Sequence, residues 1–481
     1  MNRRERFRAV MVAGAMLALM VGASACQSHT EARAKFMNEI RYGMYPQSMA
    51  SLMDVAGDNE DDLVVDYMDR GMVLHFMGQY EESNEWLNKA DQLIEDLFTQ
   101  SVSDALQAIA WNDSSKPYQG EEFERVMVNV IMALNYLQMD KPQDAMVEVR
   151  KVNHKLAVYS DKLAKNEVKN FTYKIDAFAN YLGGLISEYL GEYNDAYISY
   201  KDAVSGYQQF LQNYGVNTPQ QLGVDVLRTG MGMGMTEDVN AYRTQFPGVT
   251  DQMLEPKNGM GELVALVGVG RVDHKISQKW QEMDAEGDTI SVTYPEFTTT
   301  DYLVGSPVIK VADQEFSTQV VHNPSAIARK VLADRNEEVK GKAVARAIAL
   351  YAAKKAARAV AQSDNIWAKL IGPAVNIGLN VRDILEVADC RSWISLPDTY
   401  QMSRIWLAPG DYDVVVDVRD KNGMHMYDLN FKTSIKAGAK SFLVTYTPDA
   451  LPYDAPGSPL VMPKEPVEGE GGEAAPATAL R

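Results

Sequence analysis

Residues able to do chemistry are few and scattered in this 481-residue chain. The six histidines are His29, His75, His154, His274, His322 and His425, and no two stand at metal-ligand spacing. The chain contains no H-E-x-x-H, no C-x-x-C and no G-x-S-x-G. Neither a zinc hydrolase, a redox dithiol nor a nucleophile elbow is therefore indicated. Carboxylate pairs such as Asp61-Asp62 and Glu81-Glu82 are what an acidic chain carries on its solvated surface. The run Met231-Gly232-Met233-Gly234-Met235 lacks the G-x-G-x-x-G spacing, follows no expected strand and has no Lys-Ser/Thr after it. It reads as a close helix contact or a hinge. We expect no catalytic residue, no metal and no cofactor, and hence no enzyme.

Two clusters rise above composition. In Lys340 to Arg358, Lys340, Lys342, Arg346, Lys354, Lys355 and Arg358 stand beside Ala343, Ala347, Leu350, Tyr351 and Ala357 at helical spacing. Such a helix suits a membrane surface or an acidic partner, or it packs on a sheet through its small residues with its cations in water. The second cluster is Arg391, Trp393, Arg404 and Trp406, residue types that dominate binding surfaces. The structural alternative packs both tryptophans between sheet and helix and pairs the arginines with carboxylates or loop carbonyls.

The first residues decide where the protein works. Arg3, Arg4, Arg6 and Arg8 precede an uncharged run from Ala9 to Val21, and Ala23-Ser24-Ala25-Cys26 follows. That order is a secretory leader. As a helix the uncharged run spans about 20 Å, short of the ~30 Å of a bilayer core. The residues before Cys26 resemble a bacterial lipobox, with Ala23 where Leu is usual. The resemblance implies acyl chains on Cys26, which anchor a protein stably, and Gln27 after it implies the outer membrane. The same residues also fit an ordinary signal peptidase site. In that case the protein is soluble in the periplasm, and a bridge from Cys26 to Cys390, the only other cysteine, becomes conceivable.

Hydrophobic residues at 46% and charged residues at 23% are ordinary for folded protein. Loss of the leader, with four Arg and one Glu, takes the net charge from −18 to −21. A surface this acidic repels phosphate backbones, so nucleic acid is not an expected partner.

Repetition marks the first half. Gly71, Leu74, Gly78, Tyr80, Ser83, Leu87 and Ala90 fall at the spacing of a tetratricopeptide helix pair. Ala133, Tyr136, Asp140, Pro142, Ala145, Val149 and Val152 form a weaker unit, and Gly184, Gly191, Tyr193, Ala196, Tyr200 and Ala203 a strong one. Small residues let each pair approach closely. The units are not tandem, so extra helices or long turns are expected around 101–123 and 155–171. Thr218 to Phe246 reads as one more pair.

After Pro256 the character changes. Glu262–Val269 is a continuous apolar strand, with further strands at 289–294, 307–311 and 318–321. A helix is expected from Val331 to Gln362, and Ile366 to Val381 is apolar. Strands at 412–418, 424–431 and 442–446 form an expected antiparallel meander, with turns at Asn422-Gly423 and Ala437-Gly438-Ala439. The fold class is α+β. Its segments are a leader (1–25), a lipidated start (26–60), a TPR-like helical array (61–255), an α+β domain (256–451) and a Pro/Gly/Glu/Ala tail without apolar period (452–481).

Gly261-Glu262-Leu263-Val264, Gly270, Asp389, Arg391-Ser392-Trp393, Leu396-Pro397, Arg404, Pro409-Gly410 and Tyr412 resemble a family of uncharacterised bacterial envelope lipoproteins. Val269 and Asp273 stand where that family usually has Asn and Pro. The resemblance implies helical repeats followed by an α+β region and an envelope location, and it places no catalytic residue. The favoured reading is a lipid-anchored, periplasm-facing adaptor whose superhelical groove holds a peptide or envelope protein. Repeat geometry nominates Tyr67, Arg70, Asn129, Asn180 and Tyr181 for that groove. The alternative is a lipoprotein whose β domain binds glycan or an assembly machine, which needs Trp393 and Trp406 exposed, or else a soluble periplasmic binding protein. Intact mass spectrometry of the protein from its host's membrane fraction should show acylation that Cys26→Ala abolishes. An unmodified soluble chain would remove the anchor.

Overall fold

A computed structural model describes residues 33–55, 60–101, 117–165, 172–283, 289–362 and 388–450. The leader, Cys26, the apolar stretch Ile366 to Val381 and the tail from Pro452 lie outside the described residues. The described residues begin with α1 (33–41) and α2 (Tyr45–Val55). Four helix hairpins follow: α3 (Leu63–Phe76) with α4 (Tyr80–Ser101), α5 (Glu122–Gln138) with α6 (Pro142–Lys165), α7 (Ala177–Tyr189) with α8 (Tyr193–Tyr214), and α9 (Gln220–Gly232) with α10 (Thr236–Gln245). The short α11 (Asp251–Leu254) ends the helical half.

Each hairpin turns on a residue in the left-handed region: Gly78, Asp140, Gly191 and Gly234. Glycine adopts that conformation without cost, and Asp tolerates it. Within the pairs the small residues are where close approach needs them. A Cβ on Gly71 would come 2.5 Å from Leu87 Cγ, and one on Gly184 would come 2.3 Å from Tyr200 Cδ1. Ser83 Oγ donates to the Gly71 carbonyl at 2.7 Å across the first pair. The uneven repeat spacing comes in part from the second helices, with α4, α6 and α8 at 22, 24 and 22 residues, and in part from long connections between the pairs. Lys155 is therefore still inside α6 and Phe123 already inside α5. Residues 102–116 and 166–171, where extra elements were expected, lie outside the described residues.

The second half contributes β1 (Gly261–Val269), β2 (His274–Met283), β3 (Thr289–Thr298), β4 (Val308–Val311), β5 (Gln314–Ser317) and β6 (Gln319–His322). Then come α12 (Pro324–Asp334), α13 (Asn336–Gln362), β7 (Thr399–Leu407), β8 (Gly410–Arg419), β9 (His425–Ile435) and β10 (Lys440–Thr447). An inner sheet has the order β10-β1-β7-β6 and an outer sheet the order β5-β4-β8-β9, while β2 and β3 form a separate ribbon. β1 is buried at every position. Its alternate residues Leu263, Ala265, Val267 and Val269 meet Ile309, Val414, Val416 and Leu429 of the outer sheet. Val264 and Leu266 face the other way, into one core with the helices. Period-2 alternation with both faces covered is why β1 reads as an unbroken apolar run.

Three details depart from the sequence expectations. Strands 412–418 and 424–431 do form a hairpin, with Gly423 left-handed in its turn. The third, 442–446, crosses to the inner sheet and runs parallel to β1. An outer-sheet place would leave one face of this mostly buried strand uncovered. β2 was not anticipated, since most of it is exposed and polar. The helix expected from Val331 to Gln362 breaks at Arg335, whose guanidinium turns to Glu122. In α13, Ala343 and Ala347 pack on Val292 of β3 and the Lys340 ammonium lies 4.6 Å from the Tyr294 ring centre, so its first half serves as a sheet-packing helix. No helix among the described residues is long and apolar enough to cross a membrane.

Gly71→Ala and Gly184→Ala should each cost about 1–3 kcal/mol by overpacking, measured by urea unfolding. Unchanged midpoints would mean that the pairs have room to spare.

Candidate functional site

In a stacked helix-pair array the first helices line the concave face, the usual place for a ligand. Here α5 is buried along almost its whole length, and residues of α3, α5 and α7 share one core with Val321, Trp393, Tyr400, Val444 and Tyr446. The inner sheet and the segment leading into β7 fill the concave side. The site expected to receive a partner is occupied by the chain itself.

Three polar clusters fix that docking. Arg404 on β7 donates from Nε to Glu262 at 2.5 Å, and its Nη1 reaches Asp225 on α9 and Tyr181 on α7. Burial opposes its charge, but Asp225 and Glu262 outweigh that and hold it protonated. Lys440 on β10 bonds Glu262 and lies 3.3 Å from Glu188, which also takes Arg228. Burial pushes the Glu188 carboxyl up, yet Lys440, Arg228 and Arg404 together hold it at about 2. Three cations thus meet three carboxylates. Removing one partner from such a buried set typically costs more than the set contributes, because a bare charge is left behind.

The second cluster surrounds Trp393. Its backbone N–H donates to Glu124 at 2.7 Å, and Glu124 also accepts from Tyr118 and from the Glu121 N–H. Burial raises the Glu124 carboxyl to about 7, with Lys275 pulling it down. Lys275 itself bonds Glu121, linking β2 to the start of α5. Arg391 pairs with Asp389 at 2.8 Å and with Asp62 at 3.1 Å. In the third cluster His322 of β6 meets Asp176 at 2.9 Å, Tyr173 donates to the same carboxylate at 2.6 Å, and Tyr207 donates to the Val321 carbonyl. A His–Asp pair this deep, ringed by Phe178, Phe210 and Tyr400, holds β6 against α7 and α8.

The residues nominated from sequence are placed accordingly. Asn129 is buried and donates to Glu148, Asn180 is buried and accepts from Asn153, and Tyr181 is fully buried against Arg404. Tyr67 and Arg70 are partly buried and gather on Trp86, at 5.4 and 4.7 Å. These five do not line one open groove: Asn129 and Asn180 bond to α6, Tyr67 and Arg70 lie against Trp86 of α4, and Tyr181 meets Arg404 of β7. Trp393 is fully buried and Trp406 half-buried beside Lys440, so they form no exposed platform. Arg391 and Arg404 are docking residues and not a free surface.

An opening that sequence reasoning missed lies at the sheet's rim. A cleft of ≈ 460 Å³ separates the α8–α9 connection from β6, lined by Asn217, Thr218, Gln220, Gln319, Asn323 and Thr399 among others. β6 is an edge strand of the inner sheet. Uncharged amides and hydroxyls carry no motif, so nothing in the sequence marked this rim.

No family model and no curated protein matches the chain. Similar solved structures include MamA AMB-1, 16% identical over 47% of this chain and 97% of that one, with a TM-score of 0.27. MamA MSR-1 is 15% identical over 47% and 97%, at 0.26. The Rap conjugation gene regulator of the plasmid pLS20 in complex with the Phr peptide is 16% identical over 46% and 50%, at 0.26. Scores this low carry no function across.

The Glu124 acidity is testable. With its carboxyl at about 7 in the fold and near the ordinary ~4.3 when unfolded, the native state holds more protons between those values. Stability from this group is complete below the lower value and lost as pH rises through the upper one. Glu124→Gln also loses an acceptor, so it is destabilised throughout. Its deficit in urea unfolding should shrink from about pH 5 to about pH 8, by at most ~1.4 kcal/mol per unit. Equal deficits would assign Glu124 an ordinary acidity.

Proposed function

We propose that this chain is a lipid-anchored, periplasm-facing scaffold of the bacterial envelope that binds a protein or peptide partner and does no catalysis. The anchor rests on the leader and on Cys26. A binding role is favoured because the buried acids and bases are spent on one another, in clusters that lock the two halves together. With the concave face filled, the partner belongs at the rim. The observation that carries this is the cleft beside β6, where an edge strand and neutral amide side chains suit an extended peptide. Main-chain pairing with an edge strand gives affinity without charge, and the flanking amides would select the register. The glycan reading loses its support with Trp393 in the core.

The test is photo-crosslinking in the native host, with a benzophenone residue at Asn217 or Gln319 in the cleft, or at exposed Ile198 on α8. Adducts from the two cleft positions that are absent from position 198 support a rim-bound partner. Adducts only from position 198 would move the binding surface to the helices.

A further inference from the structure

The end of α9 and the turn into α10 read Gly230-Met231-Gly232-Met233-Gly234-Met235. The glycines are not equivalent. A Cβ on Gly230 would sit 3.1 Å from both Tyr197 and Val239, so close packing accounts for it. This is the close helix contact expected from the sequence. Gly234, with φ +71°, closes the turn. Gly232 has neither reason: it ends α9 with no positive φ, and nothing lies within 4 Å of where its Cβ would be. Alanine there would favour the helix by about 1 kcal/mol.

The methionines are equally unexplained by packing. Met231, Met233 and Met235 are 49%, 36% and 39% exposed, although methionine is among the residues most often buried. Three methionine side chains are thus partly exposed within five residues of one helix end. Thioether sulfur is soft, uncharged and polarizable, a ligand type that selects Cu(I) over harder cations. Methionine's rotatable bonds let sulfurs from neighbouring positions converge, and the unpacked Gly232 leaves the backbone between them free of side chain. The charged groups about the turn are Glu237, Asp238 and Arg243. Asp238 is engaged by Tyr197 and Lys201. Arg243 lies 3.9 Å from Met231 Sδ and is held by Asp251 at 2.9 Å.

We propose that Met231, Met233 and Met235 form a three-thioether site for Cu(I) on the α9–α10 turn. Nothing in the fold or in the rim cleft depends on it, so it stands apart from the proposed scaffold role. The experiment is anaerobic titration of the full chain with Cu(I) against the chelator bicinchoninate. Cys26→Ser and Cys390→Ser are present throughout, so that no thiolate competes. The comparison carries Met231→Leu, Met233→Leu and Met235→Leu together. Leucine keeps volume and apolarity, so circular dichroism and the thermal midpoint should not change. One Cu(I) per chain is expected, and in the leucine variant, which has lost all three ligands, binding should fall to the chelator blank. Affinity should also be flat from about pH 5 to about pH 8, because a thioether has no proton to lose, unlike imidazole or thiol. Equal affinities, no binding above the chelator blank with the methionines intact, or a steep pH dependence would each overturn the site.

Discussion

β1 is apolar on both faces, and that one constraint organises the molecule. A strand with Leu263, Ala265, Val267 and Val269 on one side and Val264 and Leu266 on the other needs two covers. The outer sheet provides one. The helical array provides the other, since buried residues of α3, α5 and α7 share one core with Val264 and Leu266. The arrangement therefore has three layers, and its core runs without interruption from α3 to β10. β10 takes its place beside β1 under the same demand, which is why the chain leaves the β8–β9 hairpin and crosses between sheets.

Apolar burial alone would leave the docking free to slide. The buried charges fix it. Arg404, Lys440 and Arg228 answer Asp225, Glu262 and Glu188 across five different elements, and each misplacement by one residue would strand a charge in a dry interface. Glu124 performs the same service with neutral donors, accepting from Tyr118 and from the Trp393 backbone. Such polar contacts add less to stability than to uniqueness of fit.

On the proposed reading the partner surface is displaced outward. Among the described residues the rim is open where β6 ends the inner sheet beside the α8–α9 connection, and the end of α9 carries three partly exposed methionines.

The sequence by itself determined the local structure. Helix pairing was legible because Gly71, Gly78, Gly184 and Gly191 answer short-range demands of approach and turn that act within some thirty residues, and β1 was legible because burial on both faces leaves an unbroken apolar run. The nominated groove was not. Asn129 and Asn180 are taken up by Glu148 and Asn153 of the neighbouring α6, and whether Tyr181 meets a ligand or the chain's own sheet depends on contacts such as those between residues 404 and 225 or 440 and 188. Those separations leave no periodic trace. Trp393 and Arg404 looked like a binding surface for the same reason: a buried interface within one chain and an interface with a partner draw on the same residue types. Only the tertiary structure, by bringing the sheet into the array, decided which of the two they serve.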